Sequence, residues 1–449
     1  MNQRSRLPAR RPFVARSDGF AGADSPRAVL EECLADIAYW EPVVGAFAVM
    51  DVDAARLAAD DATARWRAGQ ARSAIDGMVV GVKDMIDTSD LPTGMGSPLY
   101  DGYMPKFDAA SVQGLREAGA VVLGKTVTTE FASSQPRGTR NPWDPARTPG
   151  GSSSGSAAAV GTGMLCGALG TQVVGSILRP AGYCGAYGYK PTPGGINRGG
   201  SLDYLSQSVT GTIAATLADA WAMARAIVER VGGDPGTPGI TGPLTLPEAR
   251  RPARLALLRT VGWPGLQPAA AVALEAALET LRTQGVTILT PETCPALAAV
   301  EAATAEAREQ TLLINAWEWR WPLGSYMARD AEGVSPSSRD RHAHSNRLTQ
   351  ADYAAALARR LAARATLAAL LQDCDGLVSV TAAGGAPIGL ETTGDPIFVV
   401  PGSYLGVPGV ALPVLEAEGL PLGLQLLGAP GEDATLFAHA AFVDGALRG

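Results

Sequence analysis

From residue 150 to residue 175 the chain is built almost wholly from small residues. Gly150-Gly151-Ser152-Ser153-Ser154-Gly155-Ser156 leads into a small-residue helical pattern. An apolar, strand-like run follows at 164–169, and a second loop ends at Gly175-Ser176. Side chains this small let backbone pack on backbone, which suits a site in a packed core and equally a tight structural crossover. The run 152–178 lies in the longest uncharged stretch in the sequence. Its Gly, Ser and Thr content is too high for a membrane span.

The flanking sequence alternates strand and helix patterns. Residues 28–38 and 53–68 are Ala-rich and helical, and 78–82 is an apolar run read as a buried strand ending at Lys83. Residues 108–117 read as a helix with Asp108 as N-cap, and 120–124 as the next strand. Such alternation predicts α/β layering. Further strands are expected at 254–258, 286–289, 376–380, 407–412 and 422–427, with helices at 268–284 and 433–447. The region 296–372 reads as mostly helical, broken by a charged loop at 339–347. Residues 1–27 mix Arg, Pro, Gly and Ser without periodicity and are expected to be a mobile tail. No composition shift divides 28–449, so it is read as one domain.

Composition narrows the chemistry. A net charge of −7 argues against a nucleic-acid-coating surface. Five cysteines without a CxxC pair suggest neither a disulfide framework nor a zinc ribbon, and point to a reducing compartment, hence a cytoplasmic protein. Only three histidines are present, at 342, 344 and 439, and no GxSxG elbow lies on a strand-to-helix turn, which leaves no Ser-His-Asp hydrolase pattern. His342 and His344, two apart without nearby carboxylates, are weak metal ligands and read as solvated. No Walker lysine follows the Gly/Ser loop.

Lysine remains. The chain has four, Lys83, Lys106, Lys125 and Lys190, against 33 arginines. Arg serves wherever a generic cation suffices, so a retained Lys draws notice as a group that can lose its proton. A desolvated Lys83 would have a lowered pKa and could take a proton from serine. Most lysines at strand ends simply reach solvent, so from the residues alone this is one candidate among several.

The signature block is more specific. Gly150 to Ala157, Gly170-Thr171-Gln172-Val173-Val174-Gly175-Ser176-Ile177, Cys184-Gly185, Tyr189-Lys190-Pro191-Thr192 and the upstream Gly81-Val82-Lys83-Asp84 closely resemble the amidase signature family. Gly124-Lys125-Thr126, Glu130-Phe131-Ala132 and the late segment 419–425 match as well, and the two key serines, 152 and 176, keep the family's spacing of 24. The resemblance runs over residues 28–449 and is weakest across 235–395. It implies a single α/β/α domain around a large mixed, twisted sheet. It also implies a Ser-cisSer-Lys triad of Ser176 as nucleophile, Ser152 after a cis peptide, and Lys83 as base. Backbone N–H groups of Val173, Val174, Gly175 and Ser176 would form the oxyanion hole, with no cofactor and no metal.

The sequence departs from the family's commonest pattern at Gln172, where Asp is usual, at Val173-Val174, where Thr-Gly is usual, at Leu178, which displaces Arg179 by one, and at Ser208, where many members have Asp. The expected activity is hydrolysis of C–N bonds in small aryl-bearing amides, extending to carbamates (urethanes) and esters. Trp317, Trp319 and Trp321 alternate and are weighed as an aromatic pocket wall against simple helix packing. Expected partners are a small-molecule amide or carbamate substrate only: no nucleic acid, no membrane, a monomer or homodimer. Two alternatives stand beside this: a partner-dependent, glutaminase-type component of a tRNA-amidating complex, and an inactive binding module.

Overall fold

The computed structural model describes residues 7–133 and 135–449. One mixed sheet of eleven strands runs through the described residues. In chain order they are β1 (Phe47–Met50), β2 (Val79–Lys83), β3 (Val121–Thr126), β4 (Gly167–Gln172), β5 (Tyr187–Lys190), β6 (Val209–Ala214), β7 (Arg254–Leu257), β8 (Thr287–Leu289), β9 (Leu377–Val380), β10 (Gly409–Ala417) and β11 (Leu420–Leu427). Their order across the sheet is β1-β3-β2-β4-β6-β5-β10-β11-β9-β7-β8. The β2 strand is parallel to both β3 and β4, whereas β4/β6, β5/β6 and β10/β11 are antiparallel. The expected α/β architecture with a large mixed sheet is what is found.

Strand β2 is buried at every residue, as its continuous apolar run requires of a central strand covered on both faces. The helix Ser154–Gly161 lies in the interior with every residue buried. Its small residues are needed there: a Cβ on Gly155 would stand 2.1 Å from the Ala46 carbonyl oxygen, and one on Gly161 would stand 2.3 Å from that of Cys184. This is the close backbone approach expected of the Gly/Ser run.

Several local expectations are corrected. Residues 7–27 are not a loose tail: Phe13 and Phe20 are fully buried in the main core, with ring centroids 5.1 Å apart, and Arg11 is paired with Glu32 and Asp36. Residues 1–6 of that expectation lie outside the described residues. Asp108 caps no helix. The helix is Ala110–Glu117, and Asp108 instead accepts from Ser89 N–H at 2.7 Å and pairs with Arg116. The charged break at 339–347 falls largely within a helix, Pro336–Ser345, capped by Ser335. All five cysteines are free and buried.

Candidate active site

Lys83 ends β2, and Thr171 and Gln172 end the adjacent β4, so the sheet brings their side chains together. The Lys83 ammonium nitrogen is 2.7 Å from Ser152 Oγ and 2.7 Å from Thr171 Oγ1, with the Thr171 carbonyl at 3.4 Å. Thr171 Oγ1 lies 3.3 Å from the Met85 sulfur, to which it donates its proton, so its oxygen is left to accept from Lys83. The Gly151–Ser152 peptide is cis. Lys83 is completely buried, and that desolvation pulls its pKa down to about 7, against an opposing pull from Asp203.

Ser176 lies in the loop between β4 and the buried helix Leu178–Cys184. The residue is partly exposed, and its hydroxyl makes no hydrogen bond among the described residues. Its carbonyl accepts from Ser153 N–H at 3.3 Å, tying the two serine loops together. Ser153 Oγ in turn accepts from Thr171 N–H at 3.3 Å. The N–H groups of Val173, Val174, Gly175 and Ser176 donate to no protein group among the described residues. Four consecutive free amides beside a serine hydroxyl are a cradle for a negatively charged oxygen.

Gln172, which breaks the usual pattern, holds this loop in place. Its Oε1 accepts from the N–H groups of Ile177 at 2.8 Å and Leu178 at 3.0 Å, while its Nε2 donates to Ser403 Oγ at 3.0 Å. Ser403 Oγ donates to the Val174 carbonyl at 2.9 Å. Val173 and Val174 direct their side chains into two separate apolar clusters, so their bulk is absorbed by packing. Arg179, displaced by one position, donates to the Gly151 carbonyl at 2.8 Å and to Thr393 Oγ1 at 2.9 Å, bracing the loop before Ser152.

The other sequence candidates go elsewhere. Lys125 is buried against Asp84 at 3.3 Å and Thr93 at 2.7 Å. Lys190 is buried, donates to the Pro191 carbonyl at 3.1 Å, and is brought down to about 7 by burial. His342 and His344 sit two apart on one helix and contact Asn346 and Arg347 respectively. His439 is buried beside Arg250 at 3.2 Å.

The three tryptophans do not form a wall, because all lie on the helix Ala307–Arg329, where alternate residues point to different sides. Trp317 stacks on Tyr353 at 5.6 Å, Trp319 is 9% exposed, and Trp321 is 75% exposed. A different aromatic corner forms where Phe131 stacks on Tyr326 at 4.4 Å and Tyr100 meets Tyr326 edge-on at 5.8 Å. Phe131 lies two residues after Thr129, whose N–H donates to the Ser152 carbonyl at 3.3 Å. No sequence periodicity marks this corner.

The amidase family model, described as Amidase, matches residues 28–437. This chain belongs to the amidase family. With the family comes the coarse chemistry, hydrolysis at carbon–nitrogen bonds. The chain is 34% identical to a glutamyl-tRNA(Gln) amidotransferase subunit of Anaeromyxobacter sp. (strain K), covering 94% of this chain and 92% of the relative. The corresponding glutamyl-tRNA(Gln) amidotransferase subunit of Chloroflexus aggregans (strain MD-66 / DSM 9485) is 35% identical, covering 90% of each chain. Among solved structures, a crystal structure of an amidase superposes with a TM-score of 0.82 at 29% identity, covering 97% of this chain and 99% of that one.

Another superposes with a TM-score of 0.83 at 28% identity, covering 96% of this chain and 98% of that one. It belongs to a vestigial protein complex that reveals the origins of an s-triazine catabolic enzyme. Family members of this similarity are thus named as one component of a glutamyl-tRNA(Gln) amidotransferase and as part of a protein complex. That overturns the expectation of a small-molecule substrate as sole partner, with no nucleic acid and only a monomer or homodimer. On the membrane, the finding is limited to this: no helix among the described residues is long and apolar enough to cross one.

Proposed function

We propose that the chain is a serine amide hydrolase working through an acyl-enzyme, with Ser176 as nucleophile, Ser152 as bridge and Lys83 as base. The observation that carries the reading is the environment of Lys83. The ammonium donates to Ser152 Oγ at 2.7 Å and to the Thr171 oxygens at 2.7 and 3.4 Å; once neutral, the amine keeps two N–H groups for Thr171 and turns its lone pair to the Ser152 hydroxyl. As Ser176 Oγ attacks the substrate carbonyl, its proton passes to Ser152 and that of Ser152 to Lys83. The oxyanion is received by the free amides of 173–176. When the C–N bond breaks, Ser152 returns a proton to the departing nitrogen and recovers its own from Lys83. Water then releases the acyl group by the same relay.

For the substrate we favour aryl-bearing amides, with carbamates (urethanes) and activated esters as extensions. The support is the half-buried pair Tyr100 and Tyr326, packed on the buried Phe131 two residues after the Thr129 that bonds the Ser152 carbonyl, which offers planar apolar surface. A second reading has its own support in the 34% identity to a glutamyl-tRNA(Gln) amidotransferase component over 94% of the chain. Here the same acyl transfer frees ammonia from an amide within an assembly. Hydrolysis of a nitroanilide, a matched aryl carbamate, a short peptide amide and glutamine by the purified chain separates the two. Turnover of the aryl substrates by the chain alone supports the first. Preference for glutamine, or turnover only with added partner proteins, supports the second.

A further inference from the structure

Along the segment that follows Lys83 lies a buried carboxylate, Asp203, approached by the Ser208 hydroxyl and the Leu205 N–H but by no cation in an ion pair among the described residues. The loop before Asp203 is laid along the segment that follows Lys83. Asp87 N–H donates to the Gly200 carbonyl at 3.1 Å, Ile86 and Ser201 form a β-bridge, and Leu202 N–H donates to the Met85 carbonyl at 2.9 Å. Asp203 is buried, and its Oδ2 has no hydrogen-bond partner among the described residues. A buried carboxylate oxygen left in that state is destabilising and calls for a reason.

The surrounding charges narrow that reason. Two cations lie within reach of Asp203, Lys83 and Arg198. Arg198 is committed to Asp234 at 2.7 Å. Asp84 is held by Lys125 at 3.3 Å, and Asp87 interacts with Lys125 and Asp84. The phenol of Tyr204, next in the chain, is largely exposed and senses Tyr100, Asp87, Tyr103 and Asp203 itself. The charged group whose field reaches Lys83 is Asp203.

Two hydroxyls complete the chamber. Ser208 faces Asp203, and Thr210 is the register partner of Thr171 across β4 and β6, so both threonines project from the same face of the sheet. Thr171 is the residue that holds Lys83. The Thr210 hydroxyl is buried and unpaired among the described residues, and that of Ser208 is directed at the Asp203 carboxylate.

We propose that Asp203 is a positioning residue for the hydrolysis: its carboxylate, with Ser208 and Thr210, balances the charge of Lys83 and sets the lowest pH at which the lysine serves as base. This rests on Lys83 being that base. The direction follows from the two opposing influences on the lysine. Burial favours the neutral amine and Asp203 favours the ammonium. Removing the carboxylate charge leaves burial unopposed, so the neutral amine persists to lower pH and the acid limb of activity moves down.

The test uses the full chain and two readouts across pH 5 to 9: kcat/KM for a nitroanilide, and the rate at which a fluorophosphonate labels Ser176. For Asp203→Asn the acid limb of both moves to lower pH by about half a unit or more. For Asp203→Glu, which keeps the charge, it stays at the wild-type position. A limb that does not move in Asp203→Asn, whatever happens to the plateau, overturns the proposal and assigns Asp203 a structural role. Should Asp203→Asn fail to fold, Asp203→Ser is read by the same criterion. A wild-type enzyme with no acid limb near pH 7, or a Lys83→Arg variant that still turns over, removes the lysine base itself. That failure is distinct from an unmoved limb in an enzyme whose lysine is otherwise confirmed.

Discussion

Gln172→Ala is the perturbation that most directly tests how the loop at 173–176 is held. In the structure one side-chain oxygen receives the N–H groups of Ile177 and Leu178, and the amide nitrogen reaches Ser403, which in turn holds the Val174 carbonyl. Truncation leaves the two N–H groups at the start of a fully buried helix without a partner. Each such group costs about 1–3 kcal/mol, so the folded state loses several kcal/mol unless the loop relaxes to satisfy them. Relaxation turns amides away from the position of the oxyanion, and each donor lost is worth about 2.7–4 kcal/mol, or 10²–10³ in kcat. The expected result is a lower Tm together with a kcat reduced by about two orders of magnitude, with KM little changed. Gln172→Glu keeps the oxygen that accepts both bonds at a helix N-terminus, where negative charge is favoured, and loses the donor to Ser403. It should therefore retain more activity than the alanine variant. Steady-state kinetics on a nitroanilide and a thermal melt read both. Wild-type kcat in Gln172→Ala, with or without a lower Tm, would refute the view that this side chain shapes the hole.

Ser176→Ala should abolish turnover while leaving the melt unchanged, and a serine-directed phosphonate should label Ser176; labelling at Ser152 or Ser153 would reassign the nucleophile. Lys83→Arg keeps a cation that cannot give up its proton and should be as inactive as Lys83→Ala. With Lys83 brought down to about 7 by burial, wild-type activity should be full above that pH and fall about tenfold per unit below it, as the amine is protonated. An activity that rises on acidification would contradict the base assignment. Tyr326→Ala should raise KM for aryl amides more than for aliphatic ones, whereas Trp321→Ala should leave both unchanged; the opposite ranking would return the aromatic wall to the tryptophans.

The features legible in the sequence are those carried by local pattern. The strand ending at Lys83, the small-residue helix and the two serine loops stand within a few residues of where composition and spacing place them. Strands β1, β5 and β6 escape such a reading. Phe47–Met50 and Tyr187–Lys190 are only four residues each, and Val209–Ala214 carries Thr and Gly where a buried strand usually has aliphatics. The tryptophan wall fails because alternation marks a shared face only in a strand, and these residues are helical. Asp108 has the neighbours of a cap, but its partners Ser89 and Arg116 decide otherwise. The partnership of Gln172 with Ser403 joins positions 231 residues apart, and no periodicity encodes a contact of that kind. The same holds for the aromatic corner and for Asp203, whose neighbours come from separate parts of the chain.

The fate of the lysines has a practical side. Lys83, Lys125 and Lys190 are sealed in the interior, and Lys106 alone of the four is exposed. Guanidinium groups do not react with activated esters at neutral pH, so to an amine-directed reagent the folded enzyme offers one side chain besides its α-amino group. A succinimidyl dye or a resin bearing such esters would therefore attach the folded protein at Lys106 and the α-amino group alone. Additional sites would open only as the chain unfolds, so the stoichiometry of labelling would itself count the unfolded molecules.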